Sequence, residues 1–236
     1  MDNSVYGALT RQNGLVREMR LIANNIANAA TTGYKQESIM FSEHLQDNGA
    51  GGLSTAHANI ARTDHHQGAL HRTGNSLDLA LEGEGFLAVE TPLGIRLTRA
   101  GSFMLSPEGE VINASGHKLL DQSQSPIFLP PNSGEIAIAV DGTLSVGGEI
   151  FSSVGVVVPE QIETLAREDG VVFSYDGELI PDENTRLLQS HLEKSNTNPV
   201  QQIARMIEVQ RAYELGQSFL EKESERQKNA TKSIIP

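Results

Sequence analysis

The 236-residue chain has no cysteine and no tryptophan, and only four Tyr and seven Phe. Without thiols it has no disulfide framework, no thiolate nucleophile and no Cys-ligated zinc or iron–sulfur site. Long apolar runs are also missing. The longest strictly apolar stretches, such as 136–140, hold about five residues against the ~20 of a membrane-spanning helix. The opening residues MDNSVYGALTRQNG carry neither a basic n-region nor an apolar h-region, so no cleavable secretory leader is expected. With 18 basic and 30 acidic side chains the net charge is −12, which argues against nucleic-acid binding. Hydrophobic residues make up 38%, below the usual globular share, and the length allows one large or two modest domains.

What is present is unevenly spread. Residues 1–45 hold four basic and four acidic side chains, net 0; residues 46–185 hold six and 20, net −14; residues 186–236 hold eight and six, net +2. Eighteen of the 22 glycines lie in the middle stretch. The acidity therefore belongs to one module, which resists nonspecific association through like-charge repulsion, and the near-neutral ends remain free to associate.

Both ends read as helices. From Val5, the residues Val5, Leu9, Gln12, Val16, Met19, Ala23 and Ile26 alternate steps of four and three, a coiled-coil-like seam with one polar step, and Leu15 and Ile22 widen it. The helix expected over about 3–27 ends in ANNIANAATTGYK (23–35). Three Asn in five positions are poor helix formers that compete for backbone hydrogen bonds. They make either a frayed terminus with intrachain packing or hydrogen-bond ladders to a neighbouring helix. Gly33 can supply a positive-φ turn, followed by Tyr34 and Lys35. Near the other end, 195–198 offers capping side chains and Pro199 suits the first helical turn. Ile203, Met206, Ile207, Tyr213 and Leu220 then form an apolar stripe with Gln210 and Gln217 inside it.

The middle reads as strands and turns. Residues 46–66 are polar and Gly-rich, a linker or hinge. Beyond them Leu77, Leu79 and Leu81 alternate, a second apolar stretch follows over 86–89, and strands are expected near 95–98, 102–105, 110–113, 126–129, 135–140, 144–146, 154–158, 171–174 and 178–180. LSPEGEVI (105–112) and FSYDGELI (173–180) echo each other, and VDGTLSV (140–146) offers a third acid-Gly turn. These read as recurrent hairpin chemistry. The fold class is thus α+β, a β-rich central domain (67–185) flanked by long N- and C-terminal helices (1–45 and 186–236) that pair as a coiled-coil-like module.

No enzyme motif stands out. Gly83-Glu84-Gly85 lacks a third glycine in dinucleotide spacing, and its acids would repel a pyrophosphate. His57, His65, His66 and His71 cluster near Asp64 without metal-site spacing and read as surface histidines, so no catalytic residue, cofactor or metal is expected. A carbohydrate-binding module would need aromatic platforms, which this composition hardly supplies, and a hydrolase would need one acid pair among many.

Four segments in register carry a resemblance. ANNIANAATTGYK (23–35), QGALHRTGNSLDLALEGEGFLAV (67–89), LTRAGSFMLSPEGEVINASGHKLL (97–120) and EKSNTNPVQQIARMIEVQRAYE (193–214) resemble the signature segments of bacterial flagellar rod and hook proteins. Ile26, Leu87 and the run Thr197-Asn198-Pro199 depart from that pattern. The short stretch before 67 resembles the proximal-rod branch, with the distal-rod branch as the alternative. The resemblance implies a structural subunit of the basal-body rod in the periplasm, exported by the flagellar type III apparatus. It implies stacking into a helical tube with its own copies and with other proximal and distal rod subunits, without nucleic acid or membrane insertion, to transmit torque from motor to hook. Carried onto this chain, Asn24, Asn25 and Asn28 would hydrogen-bond across subunits, Gly33 would allow the turn, and Tyr34 and Lys35 would contact a neighbour. Met206, Ile207 and Tyr213 would pack on the N-terminal helix, Gln210 and Arg211 would bridge subunits, and Asn196 would join the interface.

Overall fold

A computed structural model of the chain describes residues 3–46, 53–130, 134–182 and 184–234. Helix α1 (Asn3–Ala27) leads into strands β1 (Glu37–Gln46), β2 (Leu53–Thr63) and β3 (Leu70–Arg72). Then come β4 (Leu79–Glu82), β5 (Phe86–Thr91), β6 (Gly94–Thr98), β7 (Phe103–Leu105), β8 (Val111–Asn113), β9 (Lys118–Leu119), β10 (Ile136–Ile138), β11 (Thr143–Val146), β12 (Glu149–Ser153) and β13 (Val156–Pro159). The chain closes with β14 (Ala166–Asp169), β15 (Val172–Ser174), β16 (Leu179–Pro181), β17 (Arg186–Gln189), β18 (His191–Glu193) and helix α2 (Pro199–Ile234). This is the α+β class, with a strand-rich centre and a helix at each end. It divides into a helical unit (1–27, 37–64 and 197–236) and a β unit (28–36 and 65–196).

In the helical unit α1 and α2 run antiparallel. Gln12 donates to the Tyr213 carbonyl (2.9 Å), Arg205 Nε donates to Glu18 (2.8 Å), and Asn25 Nδ2 donates to Gln202 Oε1 (3.3 Å), so partners fall along α2 as positions climb α1. Leu15, Ile22 and Val209 are buried between them, with Met19, Ile26, Met206, Ala212 and Tyr213 packed around. The protected face of α1 runs through Val5, Ala8, Gln12, Leu15, Met19, Ile22 and Ile26. The sequence stripe placed Leu9, Val16 and Ala23 in that seam, but Leu9 and Ala23 are exposed and the adjacent positions 8, 15 and 22 replace them. Leu15 and Ile22, read as flanks, are the centre. Val5, Gln12, Met19 and Ile26 keep their places and the alternate positions move back by one residue, which at 15 and 22 puts the larger Leu and Ile in the seam in place of Val16 and Ala23.

Strands β1 and β2 form an antiparallel hairpin with a register shift after Met40, and α1 lies against both. Residue 46 and all of 53–63 are therefore strand where a linker was expected over 46–66; residues 47–52 lie outside the described residues. The segment LSTAHANIART lacks the strict alternation of large apolar residues that marks a half-buried strand. Its ladder partner, and not its own pattern, makes it extended.

In the β unit the main sheet has the order β14-β15-β6-β5-β9-β8-β7, with β13 on β5 and β16 on β13. Separate ladders join β10-β11-β12, β17-β4 and β18-β3. The apolar run 86–89 is a strand buried on both faces: Leu87 and Val89 enter one core with Leu79, Leu81, Leu119 and Leu187, while Phe86 and Ala88 enter another with Leu97, Leu120 and Phe173. Residues 186–193, expected in the helical module, instead complete the β unit, because Leu187 pairs opposite Leu81 and shares its core. The acid-Gly echo resolves unequally. Residues 103–113 and 136–146 fold into hairpins, but β15 pairs with β14 and β6 while β16 pairs with β13, so FSYDGELI links strands that do not pair with each other. A turn signal fixes a reversal and leaves open which strand receives the edge.

Candidate functional site

Within the β unit, the segments that continue into the two helices meet. Gly33 has φ +70° and donates its N–H to the Glu193 carbonyl (2.8 Å). A Cβ at this position would overlap the backbone of Arg99 and Ala100, so both the conformation and the space require glycine. Tyr34 follows, buried beneath the Arg167 guanidinium (4.6 Å to the ring centroid), which also stacks on Phe173 (4.9 Å).

Lys35 is 0% exposed and Glu193 is 1% exposed. Lys35 Nζ donates to Glu193 Oε1 at 2.6 Å and to the His66 carbonyl at 2.8 Å. The Gly68 N–H donates to the same carboxylate oxygen (2.8 Å), and Arg99 reaches the other oxygen at 3.5 Å. Arg99 also donates to the Gly83 carbonyl (2.7 Å) and lies over the Phe86 ring (4.9 Å), while its Nε is buried without a hydrogen-bond partner. Burial pushes the Arg99 pKa below its ordinary value, an effect that Glu193 opposes. Asn196 completes the junction: its Oδ1 accepts from the Gln36 N–H (2.8 Å) and its Nδ2 donates to the His66 carbonyl (3.1 Å). One carboxylate thus ties together three parts of the chain that lie far apart in sequence.

In the helical unit the asparagines separate. Asn25 is buried; its Oδ1 accepts from the Glu37 N–H (2.9 Å) and its Nδ2 donates to the Glu37 carbonyl (2.7 Å), so it mimics a strand partner for the start of β1. Asn24 is exposed. Asn28, the first residue of the β unit, accepts from the Thr31 hydroxyl (3.1 Å) and holds a turn. On α2, Asn198 Oδ1 accepts from the N–H of Val200 (3.1 Å) and Gln201 (3.3 Å), a cap ahead of Pro199. Met206 and Tyr213 pack towards α1, but Ile207 does not: about 100° further round the helix, it is 46% exposed. Gln210, which donates to Glu214 (3.1 Å), and Arg211 lie on the exposed side too. Ile203, Ile207, Arg211, Leu215 and Phe219 fall in one i+4 row, and its four apolar members are all exposed, Leu215 at 73%.

The structure therefore places Tyr34, Lys35, Asn25 and Asn196 on partners within the chain, and Asn24, Ile207, Gln210 and Arg211 at its surface. Sequence reasoning passed over Glu193, Arg99 and Arg167. The signal was there in part, since Glu193 opens EKSNTN and Arg99 sits in LTRAG, but nothing in one sequence pairs an acid with a base 94 positions away. Of the four histidines, His65 packs on the edges of Phe86 and Phe173, His66 and His71 are exposed, and the His57 side chain lies outside the described residues. Among the described residues no cluster of His, Asp or Glu is placed to hold a metal ion, and no helix is long and apolar enough to cross a membrane.

Three family descriptions match the chain: flagella basal body rod protein over residues 6–35, the flagellar hook protein FlgE/F/G D1 domain over 80–146, and the flagellar basal body rod FlgEFG protein C-terminal region over 188–232. Similar over nearly the full length are the flagellar basal-body rod proteins FlgF of Caulobacter vibrioides (34% identical, 99% of this chain and 98% of that protein) and of Mesorhizobium japonicum (31%, with the same shares). The rod protein FlgG of Bacillus subtilis is 30% identical over 62% of this chain and 61% of its own length. The family matches cover both helices and the first half of the β unit, including Lys35, Arg99 and Glu193.

Proposed function

The chain belongs to the flagellar basal-body rod family as a structural subunit of FlgF type, and on that premise we propose that it builds the proximal rod by stacking its terminal helices into a helical tube. In that tube α1 and α2 pair in the manner of an antiparallel coiled coil, which the steps of three and four along both protected faces support. The subunit is not an enzyme. It is exported through the flagellar type III apparatus, occupies the periplasmic stretch of the rod, and passes torque from motor to hook through contacts with its own copies and neighbouring rod subunits.

The observation that carries this reading is the exposed row Ile203, Ile207, Leu215 and Phe219. A solvated helix rarely keeps four large apolar side chains exposed unless another surface covers them. Arg211 in the row, Gln210 beside it and the exposed Asn24 of α1 give the contacts polar specificity. Asn25, Asn28, Gly33, Tyr34, Lys35 and Asn196 act one step back, by fixing how the chain leaves each unit, and Met206 and Tyr213 by holding the helices together. A head-to-tail contact of this kind does not close and so extends into a filament.

The test is the pair of full-length variants Ile207→Glu and Leu215→Glu. The expected outcome is an unchanged unfolding midpoint in the isolated subunit and loss of the subunit from purified basal bodies. Normal incorporation of both variants would show that this row is not the contact.

A further inference from the structure

The β unit carries a groove of about 700 Å³. It is lined by Val158 and Pro159 at the end of β13 and by Ile180 and Pro181 on β16, with Val158 directly opposite Ile180. Ile180 is 49% exposed, an unusual state for a strand isoleucine opposite Val158. Two prolines fix the backbone of both walls, so the groove is formed in advance and binding would order little. Its rim is acidic. Glu84, Glu160 and Asp182 line it, and among the described residues no Lys, Arg or His does. Asp182 accepts from the Asn184 N–H (2.9 Å) and from the Thr185 hydroxyl, which fixes its carboxylate without neutralising it. Glu84 and Glu160 are exposed and make no hydrogen bond or ion pair among the described residues. Arg99 feels Glu84 and Asp182 but is buried and committed to Glu193 and the Gly83 carbonyl.

We infer that this groove is a docking site for an extended, lysine- or arginine-bearing segment of a partner protein, whose apolar residue rests on Val158 and Ile180 between the rim carboxylates. Charge decides the occupant. The β unit holds eight basic and 19 acidic residues, net −11, so a second copy of the same unit is repelled and a basic segment is drawn in. The volume lies in the range of preformed pockets that take a ligand of a few residues, too small for a folded domain.

The experiment uses the full-length chain and two labelled peptides, Lys-Ile-Arg-Val-Lys and Glu-Ile-Glu-Val-Glu, titrated by fluorescence anisotropy at low salt. The cationic peptide should bind and the anionic one should not. The double variant Glu84→Lys/Glu160→Lys should weaken binding about tenfold, while Glu108→Lys/Glu149→Lys, with the same change in net charge elsewhere on the unit, should change it less than about twofold. Ile180→Ser should weaken it with no change in the rim. Failure of the cationic peptide to bind, or equal weakening by both charge reversals, would overturn the inference; the latter would mean only diffuse attraction to an acidic surface. Sedimentation of the same proteins covers the other occupant: self-association abolished by Ile180→Ser would assign the groove to a second copy.

Discussion

Two buried cations on one buried carboxylate form the least replaceable group in the β unit. Lys35, Arg99 and Glu193 have left water, and their attraction offsets that cost only while all three are present. Glu193→Gln keeps the shape and removes the negative charge that faces Lys35 and Arg99. Denaturant unfolding of the β unit should show a loss of about 3–5 kcal/mol. Replacing all three together by apolar residues of similar volume should cost less than that single change, because no charge is then left buried. Gly33→Ala tests the same junction through the backbone. It forces a side chain into a left-handed conformation against Arg99 and Ala100, and should cost more than about 1 kcal/mol in the same assay. Gln12 is a softer case. Its Nε2 reaches the Tyr213 carbonyl but its Oε1 is buried with no partner, so Gln12→Met should leave the helix pair as stable or raise it by about 1 kcal/mol.

Between elements, the exposed edge of the main sheet depends on a fork of charge. Arg96 on β6 donates through Nε (2.6 Å) and Nη2 (3.0 Å) to Glu168 on β14, across the intervening β15. The guanidinium hydrogen bonds hold the Glu168 carboxyl below its ordinary value of 4.5. Likewise the Thr143 N–H holds Asp141 below 3.8 at the β10–β11 turn. Both are depressed in the folded state, so their stabilisation is present above those values and is lost as pH falls through the folded pKa. The melting temperature of the β unit should therefore be flat near neutrality and drop in acid below about pH 4.5, and Glu168→Gln should make that drop shallower. Elements of this kind were legible in the sequence to different degrees. β4 with its alternating leucines, β5 as a short apolar run, and the two helices, α2 with its Asn198 cap, could be read from pattern alone. β1, β2, β17 and β18 could not, because each is strand through a partner distant in sequence or through a ladder its own composition does not announce. The same limit hid the site: GYK could be located, but its partner Glu193 comes from the far end of the β unit, and a buried lysine reads in sequence like a surface one.

At the scale of the whole molecule, charge and core size divide in opposite ways. The helical unit holds ten basic and 11 acidic residues, net −1, against −11 in the β unit, and the chain passes between the units at four places. Yet among the described residues the helix core of the near-neutral unit buries Leu15, Ile22 and Val209, while the β unit has two cores of 14 and seven buried residues. Apolar burial sets the order of opening, since each buried large side chain contributes about 1.5–3 kcal/mol. The helical unit should then exchange its amide hydrogens first, by opening that leaves the β unit closed. Salt separates the two further. Raising it from about 0.05 to about 0.5 M shortens the screening length well below the size of the unit and relieves the self-repulsion of 11 net negative charges. It also weakens exposed pairs such as Arg96–Glu168, but such pairs contribute little each, so the net change should favour the folded β unit. Hydrogen exchange on the full-length chain at the two salt concentrations checks both points. Slower exchange in the β unit at high salt, with α1 and α2 fast and nearly unchanged, is the expected result. If α1 and α2 are protected as strongly as Leu87 and Phe173 in a proven monomer, the two units open together, and the helices are part of one cooperative fold and not arms that gain their stability from neighbouring subunits.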